Sequence, residues 1–297
     1  MTQTKTPNLS ALTDRIDAFP TLPTVAVRVM EITSDPESSS RDLMKVISHD
    51  QSLAAAILKM ANSPFFGLVK EVSSIQHALT VLGYTEIRNL VLTKALFNSF
   101  KNLRKDSRFD IGKFWEHSLS CGLAAKIIAA DLKGDTNDFF MAGLIHDIGK
   151  LIIYMALPME FSEIIETAGH LKHRMFEAEK DILGITHEEV GMMLLKRWMF
   201  PENLLTAVGF HHCPGEAKKE SLFPLVVHAA DLLTYLNESP DDKEAESVLS
   251  EELFCPEIID LSRSHGLKWD EAALKRFQEE LIRRMEEEAE TLASLLS

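Results

Sequence analysis

Apolar positions recur along almost the whole chain at three- and four-residue intervals, the spacing that lines one face of a helix. Val25, Val29 and Ile32 form a first stripe, and Leu43, Val46 and Ile47 form a second behind the Ser38–Ser40 cluster, which supplies capping hydroxyls. Leu53, Ile57 and Met60 make a third stripe that ends at Asn62-Ser63-Pro64. Ile75, Leu79 and Leu82 stop at Gly83, a residue suited to the position just past a helix end. Ile87, Leu90 and Val91 then begin a helix running toward Phe100, and the polar stretch from Lys101 to Asp110 marks a boundary between lobes. Alternating, strand-like patterns are scarce and no repeat stands out. The pattern predicts an all-α protein.

The second lobe opens with a helix from Phe114 to Leu132, in which Ser118, Cys121, Gly122, Ala124 and Ala125 are small enough to let another helix approach closely. Next come a helix ending in His146-Asp147 and one near Phe161 to Ala168. Thr186 through Glu189 has the form of a capping box at the start of another helix. Pro201 suits the first turn of a helix that runs to His211-His212 before Cys213-Pro214-Gly215 breaks it. A last core helix from Pro224 to Leu236 carries Asp231. From Glu238 the chain reads as an acidic loop until Trp269-Asp270 starts a final amphipathic helix along Leu274, Phe277, Leu281 and Met285.

Composition narrows the function classes. With 297 residues and 45% hydrophobic content, the chain is long enough for two packed lobes. A net charge of −14 argues against a nucleic-acid binder, which needs a positive surface, but not against an anionic ligand held beside metal ions. The three cysteines, Cys121, Cys213 and Cys255, have no CxxC spacing, which points to a reducing compartment. The polar first ten residues and the lack of an apolar run near ~20 residues lead to the expectation of a soluble, cytoplasmic protein with no membrane span.

The candidate chemistry lies in His117, the dipeptide His146-Asp147, His187, the pair His211-His212, and Asp231. Imidazole mixed with carboxylate suits iron, manganese or zinc, whereas all-oxygen sites suit magnesium or calcium. Lys150 lies three residues after Asp147, near enough to face the same pocket and offset phosphate charge, while Glu188 and Glu189 stand beside His187 as acceptors able to orient imidazoles. A second dipeptide, His49-Asp50, precedes Ser52-Leu53, and there Asp50 reads as a helix cap. His228 shares a face with Asp231 and reads as core or as a support to the ligands; His77, His170, His173 and His265 read as surface or structural. Cys213 reads as a bystander, and the Met and Phe stripes as packing rather than a cofactor site.

Three segments, Leu22–Pro36, Ser52–Gly67 with its NSPFFG, and Ser74–Leu92 with its ALTVLG, resemble the HDOD family. These are bacterial signalling proteins whose helical domain is related to the HD-superfamily metal-dependent phosphohydrolases. The resemblance runs from about Ala18 to Leu236 and implies an HD-like multi-helix bundle with an N-terminal helical lobe. It divides the chain into that lobe at 1–108, a metal-binding lobe at 109–238 and an acidic helical extension at 239–297. The ligand residues are similar to those of the HD-GYP branch, the cyclic di-GMP phosphodiesterases. That similarity implies that His117, His146, Asp147 and Asp231 hold one metal and that Asp147, His187, His211 and His212 hold a second, with Asp147 bridging. Asp147 and Lys150 would then be the catalytic pair. Where those enzymes carry a Gly-Tyr-Pro segment, this chain reads CPGEAKKESLFP. The resemblance therefore implies a regulatory protein with a two-metal site of iron or manganese, or zinc, that meets a signalling protein or a nucleotide ligand, as an oligomer or alone. The alternative is an active phosphohydrolase acting on a cyclic dinucleotide or nucleotide.

Overall fold

Every regular element in the computed structural model is helical, with no β-strand among the described residues. These are residues 20–296 apart from 36, 64–67, 69, 102, 104–108, 133–137, 170–174, 239–246 and 248–250. Pro64–Gly67 of the NSPFFG motif, most of the polar boundary at 101–110, His170 and His173 lie outside the described residues. The chain divides into two packing units, residues 20–104 with 280–296, and residues 105–279.

In the first unit, α1 (Thr24–Ser34), α3 (Gln51–Ala61) and α4 (Ile75–Leu82) pack on α5 (Tyr84–Phe100), and α2 (Ser40–Ser48) packs on α1, α3 and α4. Ile87, Val91 and Leu96 of α5 are fully buried, as are Leu43, Ile47 and Ile57 of the helices around it. The predicted caps are present. Asp50 Oδ1 accepts the Leu53 N–H at 2.9 Å, so His49-Asp50 is a helix start, and Gly83 closes α4 with φ 86°, a conformation that disfavours any side chain. Asn62 ties its loop shut, donating from Nδ2 to the Val72 carbonyl at 2.8 Å and accepting the Val72 N–H at 2.7 Å.

The second unit holds α6 (Ile111–Ala129), α7 (Asp138–Ile145), α8 (Ile148–Ala156), α9 (Pro158–Ala168) and α10 (Met175–Leu183). It continues with α11 (His187–Arg197), α12 (Glu202–Phe210), α13 (Leu222–Glu238), α14 (Pro256–Ser264) and the start of α15 (Glu271–Leu296). Helix α6 packs on α7 and α13, and α8 packs on α11. The small residues of α6 serve the predicted purpose. A Cβ on Gly143 of α7 would sit 2.8 Å from the Gly122 Cα, so glycine on both sides sets the closeness of the crossing. The stretch Asp138–Ala156 has the length and hydropathy of a membrane span, but His146-Asp147 interrupts it and it is 94% buried within the protein.

Three expectations are corrected. Pro201 caps α12 from outside rather than occupying its first turn. The segment read as loop after Glu238 contains α14, started by Pro256 and buried through Ile258 and Ser262. Between the helices expected near Phe161–Ala168 and after Thr186 stands a further one, α10, buried through Met175, Ala178 and Leu183, and it supplies a residue to the site.

Candidate metal centre

All seven predicted ligands and Lys150 lie in the second unit and meet in its interior. Their elements explain the convergence. His117 sits midway along α6, Asp231 on α13, His187 at the first position of α11, and His211-His212 just past the end of α12. His146-Asp147 is the break between α7 and α8. Asp147 holds the N-cap position of α8 but makes no capping hydrogen bond, which leaves its carboxylate for other partners.

The ligand atoms fall into two groups joined by Asp147. His117, His146 and Asp231 form one and His187, His211 and His212 the other, while His146, Asp147 and His211 form a third that links them; within each group the atoms lie within 4.8 Å of one another. Asp147 Oδ1 lies 3.1 Å from His187 Nε2 and 3.7 Å from His211 Nε2. Its Oδ2 accepts from Lys150 Nζ at 2.5 Å and lies 3.4 Å from His146 Nε2. On the other side, Asp231 Oδ1 is 2.9 Å from His117 Nε2 and 3.5 Å from His146 Nε2.

The imidazoles are held by the opposite edge. His146 Nδ1 donates to the Gly143 carbonyl at 2.7 Å, and His211 Nδ1 to the Val208 carbonyl at 2.9 Å. His187 Nδ1 meets Glu179 Oε2 at 2.7 Å, and His117 Nδ1 meets Glu238 Oε1 at 3.0 Å. With Nδ1 engaged, each of these four rings turns Nε2 inward. His187 Nε2 and His211 Nε2 stand 3.3 Å apart, both turned toward Asp147. Two nitrogen ligands at ~2.1 Å from one metal ion are about 3.0–3.4 Å apart, so the spacing fits an edge of a coordination shell. His146 Nε2, Asp147 Oδ1 and His212 Nε2 are buried with no hydrogen-bond partner. Buried polar atoms are rarely left unpaired, and all three belong to the linked donor groups. The residues present fit a bound divalent ion.

The charges respond as such a cluster should. Burial disfavours the charged ring of His117, but hydrogen bonds to Asp231 and Glu238 outweigh it and push its pKa up to about 10. Burial likewise opposes charge on His187, and the Glu179 carboxylate lifts it to about 9. Burial holds His211 well below its ordinary range, reinforced by His146 and His187. Asp147 is held well below the usual carboxylate range despite burial, because His146 and Lys150 stand beside it.

A cavity of about 200 Å³ opens on one side of this cluster. His117, Asp147 and Lys150 form part of its lining, with Lys113 and Glu238 among the polar groups and Phe109, Phe114, Phe161 and Tyr235 as an aromatic wall.

The supporting residues differ from expectation. Glu188 accepts the His212 backbone N–H at 3.3 Å and Glu189 closes the capping box on Thr186, so neither orients an imidazole. That part falls to Glu179 and Glu238, which sequence reasoning missed. Both left a signal: Glu179 is a carboxylate on the buried stripe of α10, and Glu238 lies two turns after Asp231 on the same face of α13. His228 donates from Nδ1 to the His211 carbonyl at 2.8 Å, supporting the ligand backbone as its placement suggested. His77 lies in the other unit, and His265 pairs with Ser221.

Comparison with known proteins matches the HDOD domain to residues 19–214. An uncharacterised protein of Treponema pallidum is 26% identical over 255 residues, 84% of this chain and 49% of that protein. Ribonuclease Y of Thermus thermophilus is 29% identical over 119 residues, 40% of this chain but 16% of the enzyme. The chain thus spans about half the length of the first relative and far less of the second. A crystal structure of an HDOD domain protein of unknown function from Geobacter sulfurreducens superposes with a TM-score of 0.72 at 24% identity, covering 97% of this chain and 96% of that one. At that identity the likeness speaks for the fold.

Proposed function

The chain belongs to the HDOD family, and from that membership we propose that it is a regulatory protein holding a two-metal divalent site on its helical scaffold. His117, His146, Asp147 and Asp231 hold one ion and Asp147, His187, His211 and His212 the other, with Asp147 shared. The carrying observation is that Asp147 Oδ1 and the Nε2 atoms of His146 and His212 are buried without a hydrogen-bond partner within linked groups of donor atoms, in a centre where four rings are tied back by Nδ1. Mixed imidazole and carboxylate donors favour iron or manganese, with zinc next. The ligand or partner is a signalling protein or a nucleotide.

One observation supports regulation over turnover of a cyclic dinucleotide: the segment after His212 lacks Gly-Tyr-Pro.

A phosphohydrolase is the second reading, favoured by Lys113, Lys150 and the aromatic wall around one cavity and by the ribonuclease named among the relatives. Metal ions there would supply Lewis acidity toward phosphoryl oxygens. Lys150 would offset phosphate charge, and the aromatic wall would keep water from the ligand.

Elemental analysis of the chain purified without chelator tests the metal site. Two equivalents of iron or manganese are expected, falling to none in Asp147→Ala; a metal-free parent or an unchanged variant overturns the site. Incubation with cyclic di-GMP and with a chromogenic phosphodiester, in added manganese or iron, separates the readings. No turnover upholds regulation, while turnover lost in Asp147→Asn replaces it with hydrolysis.

A further inference from the structure

Each half of the centre contains one imidazole anchored on a neutral backbone carbonyl and one anchored on a carboxylate. His146 and His211 use the carbonyls of Gly143 and Val208. His117 and His187 use Glu238 and Glu179. We propose that Glu238 and Glu179 are the positioning residues of the two metal subsites, each setting the direction and donor strength of one imidazole. This inference rests on the metal-centre reading.

Glu179 makes the stronger case. It is fully buried on α10, and a single oxygen, Oε2, accepts both the His187 backbone N–H at 2.6 Å and the His187 ring Nδ1–H at 2.7 Å. Its Oε1 has no hydrogen-bond partner. A buried carboxylate with an idle oxygen is costly, and the helix itself gains nothing from it, since its neighbours Ala178 and Leu183 are buried apolar residues. Among the described residues both hydrogen bonds to Glu179 come from His187, one from its backbone N–H and one from its ring, so the carboxylate is committed to that residue. The carboxylate fixes the Nδ1–H tautomer, aims Nε2 at Asp147 and His211, and makes the imidazole a better donor to a cation. Glu238 does the same for His117 with its side chain 44% exposed at the rim of the cavity, where solvent weakens its field.

Removing such a carboxylate typically weakens metal binding about 10–100-fold. The test uses the full chain, stripped of metal and titrated with manganese against a competing chelator, with a thermal melt of the metal-free protein alongside. Glu179→Leu is expected to weaken one of two equivalents about 10–100-fold and leave the other tight. Glu179→Gln, which still offers an oxygen to Nδ1, recovers part of that loss. Glu238→Gln weakens the other equivalent by less. A purely structural Glu179 would lower the metal-free melting temperature and leave the affinity unchanged, and that result overturns the proposal. Should Glu179→Leu fail to fold, Glu179→Gln decides alone: parental affinity for both equivalents sinks the idea. A parent that binds no manganese refutes the metal centre itself, an outcome distinct from a parent that binds two equivalents and variants that do not differ.

Discussion

Replacing Gly149 by alanine sets two opposed effects against each other. Within a helix, alanine is better than glycine by about 1 kcal/mol, so propensity alone predicts a more stable protein. The crossing of α8 and α11 predicts the reverse. A Cβ at Gly149 would lie 1.9 Å from the His187 carbonyl oxygen and 2.8 Å from the Gly191 nitrogen, whereas real Cβ atoms essentially never come within 3.0 Å. Both obstacles are backbone, so no side chain can swing away, and the helices must part by more than an ångström. Overpacking of this kind costs about 1–3 kcal/mol, enough to outweigh the propensity gain, and each kcal/mol lowers Tm by about 2–4 °C in a unit of this size. The functional consequence is larger. Helix α8 starts at Asp147 and carries Lys150, helix α11 starts at His187, and ligand sites tolerate displacements of only about 0.5 Å. Gly149→Ala should therefore lose bound metal and melt a few degrees lower. Gly209→Ala is the control, because its Cβ meets only the flexible thioether of Met192 at 2.8 Å. Thermal melts with and without chelator, read beside metal content, decide the matter. A Gly149→Ala protein that melts higher than the parent and keeps its metal would refute the reasoning.

Thr186→Ala removes the capping box that starts α11 and should cost about 1 kcal/mol by urea unfolding, with Thr186→Ser restoring most of it. Arg276 donates two hydrogen bonds to Asp131, one at 3.0 Å, and holds that carboxyl below its usual range. A lowered folded pKa gives stability that is present above the unfolded value of about 3.9 and lost as pH falls through the folded one. Arg276→Ala should thus be less stable than the parent by under about 1 kcal/mol at pH 7, a gap that closes toward pH 2; a gap independent of pH would contradict the pairing. Burial pushes the Cys213 thiol up to about 12, so at pH 8 iodoacetamide should modify it far more slowly than a free peptide thiol, as mass spectrometry of the digest would show.

The helices were legible because apolar spacing is a local signal, and five of the ligands because they stand at a helix start, end or break that the chain marks locally, whereas His117 and Asp231 lie inside helices. His187 follows the Thr186 cap, and His146-Asp147 interrupts an apolar run. Assignment to a metal still needed the resemblance to a family, since imidazoles 114 residues from their acid, as His117 is from Asp231, share nothing in sequence. Glu238 was hidden for that reason, lying 121 residues from His117. Glu179 is only eight residues from His187 but sits on a helix that went unread. The close approach at Gly149 was illegible because its partner, the His187 carbonyl, is a backbone atom that no residue type announces. Helix α14 was lost to its polar composition, its burial resting on few positions such as Ile258 and Ser262.

Charge connects these features. Asp147, Glu179 and Asp231 are almost fully buried, Glu238 joins them through His117, and Lys150 is the ammonium among them. The three that are closed to water outnumber the ammonium by two, an excess that burial strongly penalises, while Glu238 adds its charge from the exposed rim. A chain selected for packing alone would fill these positions with apolar groups, as it does on the adjacent turns of α6 and α13. Without a metal, the rings of His117 and His187 take up protons to balance the acids, with pKa values pushed up to about 10 and about 9. Bound divalent metal would offset this charge with no proton on any ring, and it would draw on the Nε2 of His146 and His212 and on Asp147 Oδ1, which have no hydrogen-bond partner. The excess of acid is thus the same feature as the unpaired ligand atoms, seen in charge rather than in geometry, and bound divalent metal would account for both.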